Sequence, residues 1–230
     1  MALFVLGDPH LSLGASKPMD IFPGWNDYVE RLEKNWRKLI RPEDTIVLAG
    51  DISWAMRLTD TRKDFAFLQS LPGQKIIMKG NHDYWWNTAA KMQRFFDEHG
   101  LRSLEILHNN CLYYNDISLC GTRGWFYELD NQGTHNEKML AREVGRLEIS
   151  LKMAGESCEK ICFLHYPPLY QGYECPEILR LLQRYGVKEC YFGHLHGAAQ
   201  KRALEGRHYN TEFHLVAADY LDFTPVKICD

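Results

Sequence analysis

Five short stretches of this 230-residue chain collect side chains that bind metal ions: Asp8-Pro9-His10, Gly50-Asp51, Gly80-Asn81-His82-Asp83, His165, and His194-Leu195-His196. Carboxylate, imidazole and amide carbonyl oxygen are the donors that suit borderline divalent metals such as Mn, Fe and Zn, and one carboxylate can bridge two cations. Each stretch alone has a plainer reading as a turn or a helix cap. Position separates the readings, because each stretch lies just past an apolar run with the texture of a strand. In "GHLHG" (193–197) two rings one residue apart would point to opposite faces of an extended strand, whereas the flanking glycines allow a loop that turns both toward one site.

The elements that must position these residues are legible in outline. "ALFVLGD", "TIVLAGD" and "QKIIMKGNHD" are apolar runs ending in polar loops, as expected of strands buried on both faces. Helical periodicity follows each of them, over 25–40, 60–71 and 88–100, the last closed by Gly100. Three successive strand-loop-helix units predict a largely parallel sheet whose C-terminal loops lie together in space. From Leu104 to Gly121 the runs "SLEILH", "CLYYND" and "ISLCG", split by Asn109-Asn110 and Asn115-Asp116, predict hairpins that enter a second sheet. A long polar helix over 135–154 follows, then "KICFLHYPP" and "ECYFGHLHG" as strands with a helix in "PEILRLLQRYG" between them, then strand texture to "AADY".

Composition sets the frame. Hydrophobic residues are 45% and charged residues 25%, the balance of a folded domain, and the length predicts a single domain over 1–230. A formal net charge of -3 argues against a protein held on nucleic acid or anionic membrane by its overall field. The N-terminal run meets Asp8 early and lacks a basic n-region, so it reads as a strand and not as a secretion signal. No apolar run approaches bilayer length. Seven scattered cysteines without Cys-x-x-Cys pairs predict reduced, mostly buried thiols in a cytoplasmic protein, with a redox or metal role for Cys158 and Cys162 as the alternative.

In this order, Asp-x-His, Gly-Asp, Gly-Asn-His-Asp, His and Gly-His-x-His, the five stretches resemble the calcineurin-like metallophosphoesterases, from Asp8 to His196 and with no ligand position missing. The resemblance implies a four-layer α-β-β-α sandwich, two mixed sheets flanked by helices. It implies that Asp8, His10 and His196 hold one divalent ion (Mn, Fe or Zn), that Asn81, His165 and His194 hold a second, and that Asp51 bridges them. "GHLHG" would then present one imidazole to each ion. It also implies that His82 stays free of metal and protonates the leaving group as general acid. Asp83 is read either as the carboxylate that orients that ring or as a cap of the next helix.

Aromatic residues crowd these loops: Trp54, Tyr84, Trp85, Trp86, and Trp125-Phe126-Tyr127. They supply either core packing or a stacking wall for substrate, and Trp54 and Trp125 are the candidates for the latter. Arg123 is either a phosphate contact or half of a structural salt bridge. His99, His108, His135, His208 and His214 fall outside the motif order and read as solvated or core-satisfied. The function so implied is metal-dependent hydrolysis of a small phosphomono- or phosphodiester by an activated water. A nuclease of the same superfamily would show salt-sensitive affinity for DNA, and a catalytically silent interaction scaffold would show no turnover. Loops 12–24 and 125–137 are placed to shape specificity.

Overall fold

The opening apolar run becomes strand β1 (Leu3–Leu6) because both its faces are covered: Phe4 and Leu6 pack among helices, Leu3 and Val5 against a second sheet. Strands β2 (Thr45–Leu48) and β3 (Gln74–Ile77) repeat this period of two. Ile46, Leu48 and Ile77 face the helices, and Val47 and Ile76 face the other sheet. The computed structural model describes residues 1–126, 134–156 and 158–230, with Thr134 and His135 as backbone only; Tyr127, most of the 125–137 loop and the His135 side chain therefore lie outside the described residues.

Helices α1 (Tyr28–Leu39), α2 (Arg62–Ser70) and α3 (Ala89–His99) cover the first sheet through Leu32, Trp36, Phe65, Leu68, Met92 and Phe96. α3 has the ends its sequence announces, with Thr88 capping the Lys91 N–H and Gly100 left-handed at φ 67°. α1 starts three residues later than its periodicity suggests. Asp27 is left-handed at φ 51°, which stops the helix and leaves Trp25 outside it.

Strand β4 (Leu104–Ile106) corrects the reading above. It pairs in parallel with β3 and ends the first sheet instead of entering the second, because the crossover through α3 returns the chain beside the strand it left. The other edge is β13 (Val226–Cys229), antiparallel to β1, so the first sheet runs β13-β1-β2-β3-β4.

The second sheet is built from β5 (Cys111–Tyr114), β6 (Ile117–Thr122), β7 (Glu159–Leu164), β10 (Glu189–Phe192), β11 (Gly206–His208) and β12 (Thr211–Leu215), ordered β11-β12-β10-β7-β6-β5. Its four inner strands are parallel and its two edges antiparallel. A small hairpin of β8 (Leu169–Tyr170) and β9 (Tyr173–Glu174) stands apart from both sheets. Helices α4 (Thr134–Met153) and α5 (Pro176–Arg184) cover the outer face through Leu147, Leu151, Ile178 and Leu182. Cys120, Cys162 and Cys190 sit in register on that face as free, buried thiols, where they act as small apolar side chains.

Three buried layers thus alternate with the four layers of structure: helices to sheet, sheet to sheet, sheet to helices. Phe163, fully buried between the sheets, shows what the middle layer is worth, since truncating such a ring costs about 3–5 kcal/mol.

Candidate metal centre

The two sheets meet at one end. Gly7, just past β1, donates across to the Val216 carbonyl just past β12 (2.6 Å), and within the second sheet Gly193, past β10, donates to the His165 carbonyl past β7 (3.1 Å). The loops that follow are held in backbone shapes that side chains seldom adopt. Asp8, His10, Asp51 and His194 all have positive φ, at 55°, 45°, 49° and 71°. Such residues cost on the order of 1 kcal/mol each, and they collect where a site demands them. The left-handed turn at His194 answers the puzzle of "GHLHG", because it sends the His194 and His196 rings to different halves of one cluster.

Glycines make the approach possible. A Cβ on Gly193 would overlap the Asp8 carboxylate, and one on Gly80 would overlap that of Asp51. Each of these two glycines is therefore a steric requirement of the carboxylate beside it.

In one half of the cluster, His10 Nε2 lies 3.3 Å from His196 Nε2, which lies 3.6 Å from Asp8 Oδ1. In the other, Asn81 Oδ1 lies between His165 Nε2 (2.6 Å) and His194 Nδ1 (2.9 Å). Asp51 Oδ2 stands between the halves, 3.7 Å from His10 Nε2 and 3.5 Å from His165 Nε2. Two overlapping groups have the spacing to hold an ion: Asp8, His10 and His196, and Asp8, Asp51 and His165. Asp8, His10, Asp51 and His165 are almost wholly buried.

Electrostatics fit a cation. Burial drives His165 and His194 each down to about 3, and drives His10 well below its ordinary value, so these rings are neutral near pH 7. His165 spends its Nδ1–H on the Ala49 carbonyl (3.2 Å), which leaves a lone pair on Nε2 facing the oxygens of Asn81 and Asp51. An imidazole lone pair grouped with amide and carboxylate oxygens is a donor set that suits a divalent ion. Burial, then the Asp83 and Asp8 carboxylates, push Asp51 well above the usual carboxylate range, a strain that a divalent ion relieves. His10 Nδ1 is buried with no hydrogen-bond partner among the described residues.

The sequence profile of the family described as "Calcineurin-like phosphoesterase" matches residues 1–198. The chain belongs to that family. Solved structures show the same fold at low identity. The phosphopantetheinyl hydrolase of Mycobacterium tuberculosis superposes with TM-score 0.61 at 13% identity, covering 99% of this chain and 95% of its own. A protein from Thermus thermophilus gives 0.54 at 13% over 99% and 97%, and a protein of unknown function from Aquifex aeolicus gives 0.51 at 15% over 98% and 95%. No curated protein matches.

In this calcineurin-like phosphoesterase His82 sits at the edge of the cluster, its Nε2 4.0 Å from Asp51 Oδ2 and its side chain 35% exposed. Its ring packs on Trp54 (centroids 4.5 Å), which stacks on His10 (4.9 Å, 17° between planes). Burial, and after it the charge of His196, lowers the His82 pKa.

Asp83 departs from both readings of it. It neither orients the His82 ring nor caps a helix, since α3 is capped by Thr88. Its oxygens accept from the Ile52 (2.9 Å), Ser53 (3.2 Å) and Gly80 (2.7 Å) N–H groups and from the Trp85 indole (3.0 Å). It ties the Gly-Asp loop to the Gly-Asn-His-Asp loop, and burial pushes its pKa up to about 6.

Arg123 takes the structural option: its guanidinium pairs with the buried Glu143 (3.3 Å) and covers the Trp125 ring (4.9 Å). Trp125 itself packs against the second sheet's outer core. Of the aromatic candidates, Trp54 faces the site, whereas Trp85 is a buried core ring. His99, His108, His208 and His214 all lie away from the centre, beside Phe95, Trp86, the Glu205 carbonyl and Tyr191 respectively.

Asp219 is the participant that sequence reasoning overlooks. It accepts from His196 Nδ1 (2.8 Å) and from the Gly197 N–H (3.2 Å), and so fixes which nitrogen of His196 faces the cluster. Burial opposes a charge on His196, but the hydrogen bonds to Asp219 and Asp8 outweigh it and raise its pKa to about 10. The signal was present, because "HLVAAD" is one more apolar run ending in an aspartate.

Proposed function

We propose that this calcineurin-like phosphoesterase hydrolyses a small phosphomono- or phosphodiester with two divalent ions. Asp8, His10 and His196 would hold one, Asn81, His165 and His194 would hold the other, and Asp51 would be shared between them. The observation that carries this reading is the convergence of these seven side chains, from five loops on two sheets, on facing acceptor atoms. Two such ions, when bound, neutralise phosphate oxygens and make water a nucleophile near neutral pH.

The chain's own residues supply the rest. His82 presents Nε2 at the edge of the cluster, where it can protonate the oxygen that leaves as the ester bond breaks. An anionic phosphoester beside that ring favours its protonated form and so counters the lowering by burial. Trp54 holds the ring in a tilted contact, and Asp83 holds the loop that carries it. All seven cysteines are free, which supports a cytoplasmic place of action.

The test is hydrolysis of an aryl phosphodiester and the matching aryl phosphomonoester by metal-stripped protein, with and without added Mn(II). Turnover of either that returns with metal supports the reading. Bound metal without turnover of any phosphoester would point instead to a silent scaffold.

A further inference from the structure

A cavity of about 570 Å3 opens beside the candidate centre, with His10, His82 and His196 in its lining, and its volume suits a small-molecule site. The remainder is chiefly apolar: Met19, Phe22, Pro23, Trp25 and Trp54. Of its polar side chains outside the histidines, Asp219 and Trp54 are already committed, which leaves the Trp25 indole as the remaining donor. Asp219 accepts from His196 and Gly197, and the Trp54 indole N–H points at Met19 Sδ (3.1 Å). A nucleobase seated there would leave most of its several donors and acceptors unpaired. The loop at the mouth exposes Ile21 (70%) and Phe22 (49%), and its Lys17 ammonium lies over the Trp54 ring (5.4 Å), where it can meet the phosphate end of a substrate.

We infer that this cavity receives the alcohol portion of the substrate and that this portion is apolar, so that the substrate class is a phosphoester of an alkyl or aryl alcohol. The inference rests on the phosphoesterase reading above and narrows it. His82 lines both the cavity and the edge of the cluster, which places the breaking bond between them. The oxygen of water bonds to phosphorus, and the phosphorus–alcohol bond breaks with its electron pair passing to the alcohol oxygen. That oxygen takes its proton from His82, and the proton lost by water returns to solvent.

The experiment is equilibrium binding of methyl- through hexylphosphonate and of adenosine 5′-monophosphate to the Mn(II)-loaded protein, read by tryptophan fluorescence. Hexylphosphonate is expected to bind on the order of 1000-fold tighter than methylphosphonate, from about fourfold for each of the methylenes removed from water. Phe22→Ser should flatten that rise while methylphosphonate binds as before. Equal affinity along the series, or tighter binding of the nucleotide than of hexylphosphonate, overturns the apolar assignment alone. Failure of every phosphonate to bind, methylphosphonate included, overturns the phosphoesterase reading and this inference with it.

Discussion

His82 and Asp83 are neighbours in sequence with opposite surroundings, one partly open beside Trp54, the other fully buried under four donors. His82→Ala is therefore expected to keep its metal and lose turnover by roughly 100-fold or more. The loss should be greatest on esters with poor leaving groups, and equal losses across a leaving-group series would refute the general-acid role. Asp83→Asn replaces an acceptor with an N–H aimed at other N–H groups. It should destabilise the fold by about 3 kcal/mol in denaturant titration, with the activity of the protein that remains folded falling less. Asp219→Ala frees the His196 ring to turn, and should weaken metal binding by roughly 10–100-fold in a competition titration with a chelating dye.

At the scale of elements, most of the centre is readable because strand ends carry motif residues in a fixed order, and strands buried on both faces announce themselves as apolar runs. The left-handed turns at Asp8, His10, Asp51 and His194 are not readable, since they arise from packing between segments far apart in sequence. The same cause hides Asp219, whose meaning depends on a ring 23 residues away, and the commitment of Arg123 to Glu143 on α4. Strand β4 is misplaced by its sequence because a short strand does not show which sheet its neighbour belongs to. Asp83 misleads because a loop carboxylate and a helix cap look alike until the donors are known. The close packing of these loops has its own test. Gly193→Ala drives a methyl into the Asp8 carboxylate, and should abolish metal binding although the helices, read by far-UV circular dichroism, remain.

At the scale of the whole molecule, the centre joins two sheets that otherwise touch through an apolar layer, so an ion held there links loops from both. Metal binding to the folded chain alone stabilises it by about 2.7 kcal/mol at a hundredfold excess over Kd, which for a domain of this size raises Tm by roughly 5–10 °C. A chelator should reverse that shift, and an unchanged Tm would mean that the folded chain does not bind the ion, or binds it no more tightly than the unfolded chain does. The claim on which the rest depends is that the cluster holds two ions, not one. The most direct measurement is the Mn(II) content per chain together with its electron paramagnetic resonance spectrum. Two ions per chain with an exchange-coupled signal are expected for the wild type, falling to one uncoupled ion in Asp51→Asn. A single ion per chain with an isolated Mn(II) spectrum in the wild type would contradict the account.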